Sequence, residues 1–298
     1  NLESAGGLDD WDQPKPAHRH DRWIISRFHR TAARVDGHME EYQFGEAQRV
    51  IYDFLWSEYC DWYLEMSKVR LRADDQSPLS VLAFVLERIL RLLHPFMPFI
   101  TEEIWQNLVQ LLPREEVEPS TLMVATYPEA DSTLFDEEAE ADIVAVIEMV
   151  RAIRNIRAEF RIEANQAVEA IVNAPEIKEL VEAETDAIMT LARVDPLTFG
   201  ADAPAAGSAG SADRVSLVLT KGTVTVPLGG LVDLEQEKAR LREELEKIDA
   251  NLERLSSRLK DGEFLGKAPE EVIERERYRL NDIEGRRARA NEVLSRLG

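Results

Sequence analysis

The chain has 298 residues, 31% of them charged, and a formal net charge of −21. That length leaves room for two or three domains, and that sign excludes nucleic-acid binding through overall charge, so any RNA contact must use local basic patches. A single cysteine, Cys60, excludes an internal disulfide and suits a reducing, cytoplasmic setting. No apolar run approaches the ~18 residues of a membrane span, and no signal peptide is visible. The first residue is Asn1 rather than Met, so the sequence reads as part of a longer polypeptide.

Residues 1–19 form a polar lead-in with Gly6-Gly7, Pro14 and Pro16, a loop composition. A helix is expected from Asp21, as N-cap, to about Tyr42, with Ile24, Phe28, Ala32 and Val35 at helical spacing. Arg27, Arg30 and Arg34 share another of its faces, either as a solvated surface or in reach of phosphates. His18 and His20 invite a metal reading, but no other cysteine or clustered histidine lies nearby, so no metal is expected.

Phe44-Gly45 marks the bend into a central helix ending near Arg72. On a regular helix, Ile51, Leu55, Tyr59, Trp62, Met66 and Val69 make one stripe, and Tyr52, Trp56 and Tyr63 widen it into an arc of roughly 140°. Asp53, Ser57, Glu58, Asp61, Glu65 and Lys68 face the other way, and Leu64 projects among them. After the loop 73–77, Ser77 and Pro78 supply an N-cap and a first helical residue. The next helix buries Val81, Leu82, Val85, Leu86, Ile89, Leu90 and Leu93 until His94-Pro95-Phe96-Met97-Pro98 breaks it. Thr101 to Leu112 gives a fourth helix with Ile104, Trp105, Leu108 and Leu111 inward. Short connections make the four an antiparallel bundle.

Thr121–Tyr127 reads as a short strand-like exit. A helix then runs to about Phe160, acidic at its start (Asp136, Glu137, Glu138, Glu140) and basic at its end (Arg151, Arg154, Arg157, Arg161). Those charges complement the helix dipole, and the arginines equally suit a phosphate track. Ala167–Asn173, Val194–Phe199, Val215–Thr220 and Thr223–Val226 are strand candidates, with Lys221-Gly222 as a hairpin turn and one helix from Pro175 to Ala192. Gly200–Asp213 is a low-complexity flexible loop within this small α+β unit.

From Leu234, the series Leu241, Leu245, Ile248, Leu252, Leu255 and Leu259 is a coiled-coil seam. Asp261 to Pro269 breaks it, and a second helix returns with Ile273, Leu280, Ile283, Ala290, Leu294 and Leu297 inward. Residues 234–298 carry a net charge of −1 and the preceding 233 a net of −20. Lys267 at the tip and Arg275, Arg279, Arg286 and Arg289 on the return helix could therefore follow a nucleic-acid backbone. The fold class is mainly α: an antiparallel bundle over 1–128, a small α+β connector over 129–233, and an antiparallel two-helix coiled coil over 234–298.

Two stretches carry a resemblance. Tyr59-Cys60-Asp61-Trp62-Tyr63-Leu64-Glu65, joined after about 30 residues by Leu92-Leu93-His94-Pro95-Phe96-Met97-Pro98-Phe99-Ile100-Thr101-Glu102-Glu103-Ile104-Trp105, closely resembles the anticodon-binding domain of class I aminoacyl-tRNA synthetases, and most of all the valyl family. The turn Phe264-Leu265-Gly266-Lys267-Ala268-Pro269, with Val272 and Glu276-Arg277, is similar to the C-terminal arm of that family. The resemblance implies the tRNA-recognition portion of a valine–tRNA ligase, with tRNA(Val) as partner and the catalytic and editing domains elsewhere in the same polypeptide. It also implies monomeric action and one further bundle helix upstream of Asn1. Motif alignment places the anticodon-facing positions at Leu64 and Glu65, an apolar shelf beside an acceptor, and the arm along the outer corner of the tRNA. Arg27, Arg30, Arg154, Arg157, Lys267, Arg275, Arg279 and Arg286 are the backbone-contact candidates.

Complete enzymes of the family use ATP and magnesium, but the nucleotide-binding motifs of their catalytic domain are missing here, so this chain alone is expected to hold no cofactor and to be inactive. Glu65-Met66-Ser67-Lys68-Val69 mimics the mobile catalytic loop, yet it lacks the flanking lysine and serine and falls inside a helix. Periodicity alone leaves a second reading open, a helical-bundle and coiled-coil module that binds a protein without RNA.

Overall fold

The computed structural model describes residues 8, 11–16, 18–112, 121–200, 214–231, 234–261, 266 and 269–296. They fall into two compact units, one joining Asn1–Glu148 with Glu179–Leu191 and the other Met149–Lys178 with Ala192–Gly298. Among them no helix is long and apolar enough to cross a membrane.

The first unit is built on four rods. Helix α1 (Arg19–Glu40) starts two residues before the expected Asp21, with His18 as N-cap. Asp21 occupies the third helical position, and its carboxylate accepts the His18 N–H at 3.3 Å. The second rod is continuous but not uniform: α2 (Phe44–Phe54) passes into a π-helical segment, Leu55–Tyr63, and then into α3 (Leu64–Arg72). Helix α4 (Pro78–Leu93) begins at the expected Ser77-Pro78 pair. Helix α5 (Pro98–Leu111) begins earlier than Thr101, because Pro98 takes the first helical position. The core is apolar on all four: Ile24, Phe28 and Val35 from α1, Ile51 and Phe54 from α2, Val85, Ile89 and Leu92 from α4, and Trp105 from α5 are all buried. Phe28 packs against Phe54 and Phe84, with ring centroids 6.2 and 6.4 Å away.

The π segment corrects the expected apolar arc. Inward positions run Ala47, Val50, Ile51, Phe54 and then Tyr59, Trp62, Tyr63, Met66, so the step from Phe54 to Tyr59 is five residues rather than three or four. A π turn closes i→i+5, so the inward faces before and after it do not share one 3.6-residue phase, and Tyr52 and Trp56, which fall in the arc only on a uniform helix, are 57% and 50% exposed. Helix α5 departs as well. Trp105, Leu108 and Val109 are buried, while Ile104 and Leu111 join Phe99 and Ile100 on its exposed side.

The expected strand at Thr121–Tyr127 is instead a short 3₁₀ turn, Leu122–Val124. Thr121 Oγ1 caps it by accepting the Met123 N–H at 3.3 Å, and Glu102 accepts the Leu122 N–H at 2.9 Å. Side-chain acceptors thus satisfy amides that a strand would have left unpaired. Helix α6 (Glu137–Glu159) comes next.

In the second unit, β1 (Val168–Asn173), β2 (Val194–Phe199), β3 (Arg214–Leu219) and β4 (Gly222–Pro227) form one sheet in the order β2-β1-β4-β3. β1 and β2 are parallel, and the other two pairs are antiparallel. The single helix expected over 175–192 is a 3₁₀ turn (Pro175–Ile177) and two helices, α7 (Lys178–Ala183) and α8 (Thr185–Ala192), of which Glu179–Leu191 belong to the first unit. Gly222 closes the β3–β4 hairpin at φ +146°, with the Asn173 carbonyl oxygen only 2.5 Å from where a Cβ would stand. Apart from Gly200, the expected flexible loop lies outside the described residues.

The coiled coil is α9 (Leu234–Lys260) against α10 (Glu270–Arg296). Ile248, Leu255 and Ile283 are its dry centre, with Leu252 and Leu280 packed on them. At 27 residues each, the helices are about 40 Å long. Arg287 Nε reaches across to Asp249 Oδ1 at 2.7 Å.

Candidate nucleic-acid interface

Leu64 and Glu65 open α3, immediately after the π segment. Leu64 is half-buried. The Glu65 side chain is 41% exposed and takes Lys68 Nζ at 2.5 Å, one turn further on, a pairing that fixes the acceptor at the surface without burying it. The residue before them, Tyr63, is fully buried. Its hydroxyl donates to Asp21 Oδ1 at 2.8 Å, and Arg70 Nη1 donates to the same oxygen at 2.8 Å. Burial, together with the negative charge and the hydrogen bond of Asp21, pushes the Tyr63 hydroxyl well above its ordinary range, so it acts as a permanent donor.

The basic candidates separate. Arg27 forks onto Glu58, Nε to Oε2 at 2.6 Å and Nη2 to Oε1 at 2.8 Å, and reaches Glu140 at 3.3 Å. Arg30 Nε donates to Glu140 at 2.6 Å, and its guanidinium lies over the Phe135 ring at 4.4 Å. Glu140 also accepts the Ser26 hydroxyl. Burial pushes the Glu140 carboxyl up, but the bonds from Ser26 and Arg30 and the charges of Arg27 and Arg30 outweigh this and hold it below the usual carboxylate range. These two arginines tie α1 to the π segment and to the start of α6 as an internal frame. Arg157 is also structural. At 8% exposure it donates to the carbonyl oxygens of Gln166, Glu163 and Arg193 at 2.7, 3.0 and 3.3 Å, bracing the chain where α6 ends.

Arg154 stands exposed on α6. Arg275, Arg279 and Arg286 are exposed on α10, and their spacing of four and seven residues puts them along one face. Lys267 lies outside the described residues. What the arrangement offers is therefore an apolar-plus-acceptor pair on a braced helix in one unit, and a line of exposed cations along one helix in the other.

Two buried groups carry roles that local pattern does not reveal. Asp21 looks like a cap and is the acceptor for Tyr63 and Arg70. Glu87, in the apolar face of α4, is 1% exposed and accepts from Arg91 Nε at 2.7 Å and from Trp105 Nε1 at 3.1 Å. The available signal was a glutamate inside an apolar stripe, which needs a buried partner.

Comparison with known proteins adds to this geometry. The model of the anticodon-binding domain of tRNA ligase matches residues 21–172, and that of the valyl tRNA synthetase tRNA binding arm matches residues 233–298. Valine–tRNA ligase of Dehalococcoides mccartyi strain CBDB1 is 47% identical over 262 residues, 87% of this chain and 29% of that protein. The ligase of Thermotoga maritima is 37% identical over 92% of this chain and 30% of its own length. That of Bacillus subtilis is 34% identical over 93% of this chain and 31% of its own length. The chain thus spans roughly a third of the length of these relatives. With just over half of its residues inside the first match, the chain belongs to the anticodon-binding domain family of tRNA ligases and ends in a tRNA-binding arm of the valyl synthetase type.

Proposed function

We propose that the chain is the tRNA-recognition portion of a valine–tRNA ligase. In this reading Leu64 and Glu65 read the anticodon of tRNA(Val), and the arm tracks its outer corner through Arg275, Arg279, Arg286 and Lys267. Arg154 is a further backbone contact. The observation that carries the reading is the tandem match: an anticodon-binding domain over 21–172 and a valyl-type arm over 233–298 in one chain. Identities of 34–47% to valine–tRNA ligases across both support it.

Among the described residues no group of three or more His, Cys, Asp or Glu is placed to hold a metal ion. ATP and magnesium chemistry, and editing, belong on this reading to the rest of the polypeptide, which works as a monomer in the cytoplasm. The exposed rings of Tyr52 and Trp56 are, on the same reading, the side of the bundle that a further helix covers. The test is binding of the chain to tRNA(Val) transcript at increasing salt, beside valine-dependent ATP–pyrophosphate exchange. The reading expects salt-sensitive binding and no exchange. A chain that ignores tRNA at low salt would instead be a protein-interaction module.

A further inference from the structure

A π-helical segment immediately upstream of a recognition pair raises a physical problem. Each residue added to a helix turns every later side chain by about 100°, and i→i+5 closure is the rarer, poorer-packed alternative to i→i+4. If one turn of Leu55–Tyr63 reverted to α geometry, everything after it would rotate, and Leu64 and Glu65 would point elsewhere. Something outside the rod must set the phase of α3.

The candidate is a single buried carboxylate. Asp21 is 1% exposed and anchored in the first turn of α1, where its Oδ2 accepts the His18 N–H at 3.3 Å. Its Oδ1 takes both the Tyr63 hydroxyl and Arg70 Nη1, each at 2.8 Å. Tyr63 and Arg70 are seven residues apart, two turns, and so share a face of the rod. Leu64 and Glu65 lie between them, about 100° and 200° around from Tyr63. The two bonds therefore hold the face of the rod opposite the pair, beside the buried Tyr59, Trp62 and Met66.

Arg70 is itself held at several points. Its Nε donates to Asp75 Oδ2 at 2.7 Å, its Nη2 bonds the Ser77 hydroxyl, and its Nη1 lies 2.8 Å from His20 Nε2. Since a guanidinium only donates, His20 Nε2 accepts. The imidazole proton then sits on Nδ1, which faces Glu184 Oε2 at 3.6 Å.

We propose that Asp21, acting through Tyr63 and Arg70, is the positioning residue that fixes the rotational phase of α3 and so aims Leu64 and Glu65 at the anticodon. This rests on the anticodon reading of that pair. A buried charged cluster adds little net stability over an apolar one, which favours a geometric role over a purely stabilising one.

The test uses the complete synthetase carrying this region, with Tyr63→Phe and Asp21→Asn, both nearly isosteric. Charging of cognate and anticodon-mutant tRNA(Val) transcripts is measured, with valine-dependent ATP–pyrophosphate exchange and melting temperature as checks on folding. Losing one hydrogen bond to a charged group should reduce the cognate-to-mutant ratio of kcat/KM about tenfold. Combining Tyr63→Phe with Leu64→Ala and Glu65→Ala should lose no more than the latter two alone, because the effect passes through them.

Full discrimination in Tyr63→Phe and Asp21→Asn, with loss in Leu64→Ala and Glu65→Ala, would overturn the positioning role and leave the anticodon reading standing. So would fully additive losses, or a fall in kcat/KM for all transcripts alike in step with melting temperature. If Leu64→Ala and Glu65→Ala themselves keep full discrimination, the anticodon reading fails and the positioning role falls with it.

Discussion

Glu87 and Trp105 join α4 to α5 through a bond with no access to water: the indole Nε1 donates to the carboxylate Oε1 at 3.1 Å, and the two residues are 1% and 0% exposed. Arg91 shares the acceptor, with Nη2 at 2.6 Å. Glu87→Leu removes the one group on which both donors converge and should destabilise the chain by about 3 kcal/mol. Glu87→Gln keeps an acceptor and should cost about 1 kcal/mol. Urea unfolding of both variants checks this, and equal losses would show that the charge, rather than the retained acceptor, carries the whole effect.

Leu64→Ala and Glu65→Ala should each weaken preference for the cognate anticodon by about 1–3 kcal/mol in an intact synthetase. Little change in melting temperature is expected, since neither side chain is in the core. Steady-state charging of cognate and anticodon-mutant transcripts decides it. Unfolding of either variant would mark the residue as structural.

Reversing Arg275, Arg279 and Arg286 to Glu should lower affinity for all tRNAs alike and reduce the slope of log Kd against log salt by about 2–3. Arg27→Ala and Arg157→Ala should leave the slope unchanged and lower thermal stability instead, because their donors are engaged within the chain. Titrations at several salt concentrations separate the two groups. An unchanged slope for the triple variant would remove the arm from the phosphate track.

Gly222→Ala places a Cβ 2.5 Å from the Asn173 carbonyl oxygen at a backbone φ of +146°, so either β1 or the hairpin must move. A loss of about 2 kcal/mol is expected. The change is read by thermal melting, and a neutral result would mean that the β1–β4 pairing yields more easily than its close approach implies.

At low pH, Asp75 should be one of the groups that matter. Burial pushes its carboxyl up, but hydrogen bonds from the Ser77 hydroxyl, Arg70 and the Ser77 amide, with the charge of Arg70, bring it down to about 2 from an ordinary 3.8. A depressed folded value means that the stabilisation is present above the unfolded value and is lost as pH falls from about 4 toward 2. Asp75→Asn should therefore flatten the acid limb of a melting-temperature profile in that window and leave its neutral limb parallel to the parent. An unaltered acid limb would refute the assignment.

The parts legible in the sequence were those where one rule dominates. The heptads of Leu241, Ile248 and Leu255 have no competing reading, and Pro78 before an apolar run favours a helix start, although the Ser77 hydroxyl bonds Asp75 instead of capping that helix. Tyr52 and Trp56 were misplaced because a 3.6-residue period was assumed through a segment that does not keep it. Ile104 and Leu111 were misplaced because an apolar residue at helical spacing says nothing about which side of a terminal helix has a neighbour. The partners of Arg27, Arg30 and Arg157 were not legible either. A guanidinium's partner is set by long-range contacts such as Glu140 and the Arg193 carbonyl, and no local pattern encodes them. Leu64 stood out in the pattern as an apolar residue among polar ones, but its role and that of Glu65 came only from family resemblance, and the Asp21 clamp beside them showed in neither.

The five-residue step from Phe54 to Tyr59 changes how the chain tolerates loss of an amino acid. In a uniform α-helix, deleting one residue turns every later side chain by about 100° and exchanges core for surface. Here the rod already carries one residue more than α spacing needs. Deleting Ser57, which is exposed, would let Leu55–Tyr63 rewind toward i→i+4 closure while Tyr59, Trp62, Tyr63 and Met66 keep their places. The middle of this rod is thus a natural site for length variation, whereas the same deletion at the half-buried Arg88 of α4 has no slack to absorb it. Melting temperatures of the two single-residue deletions should differ by well over about 10 °C, with the Ser57 deletion the milder (about 2–4 °C per kcal/mol in a chain of this size).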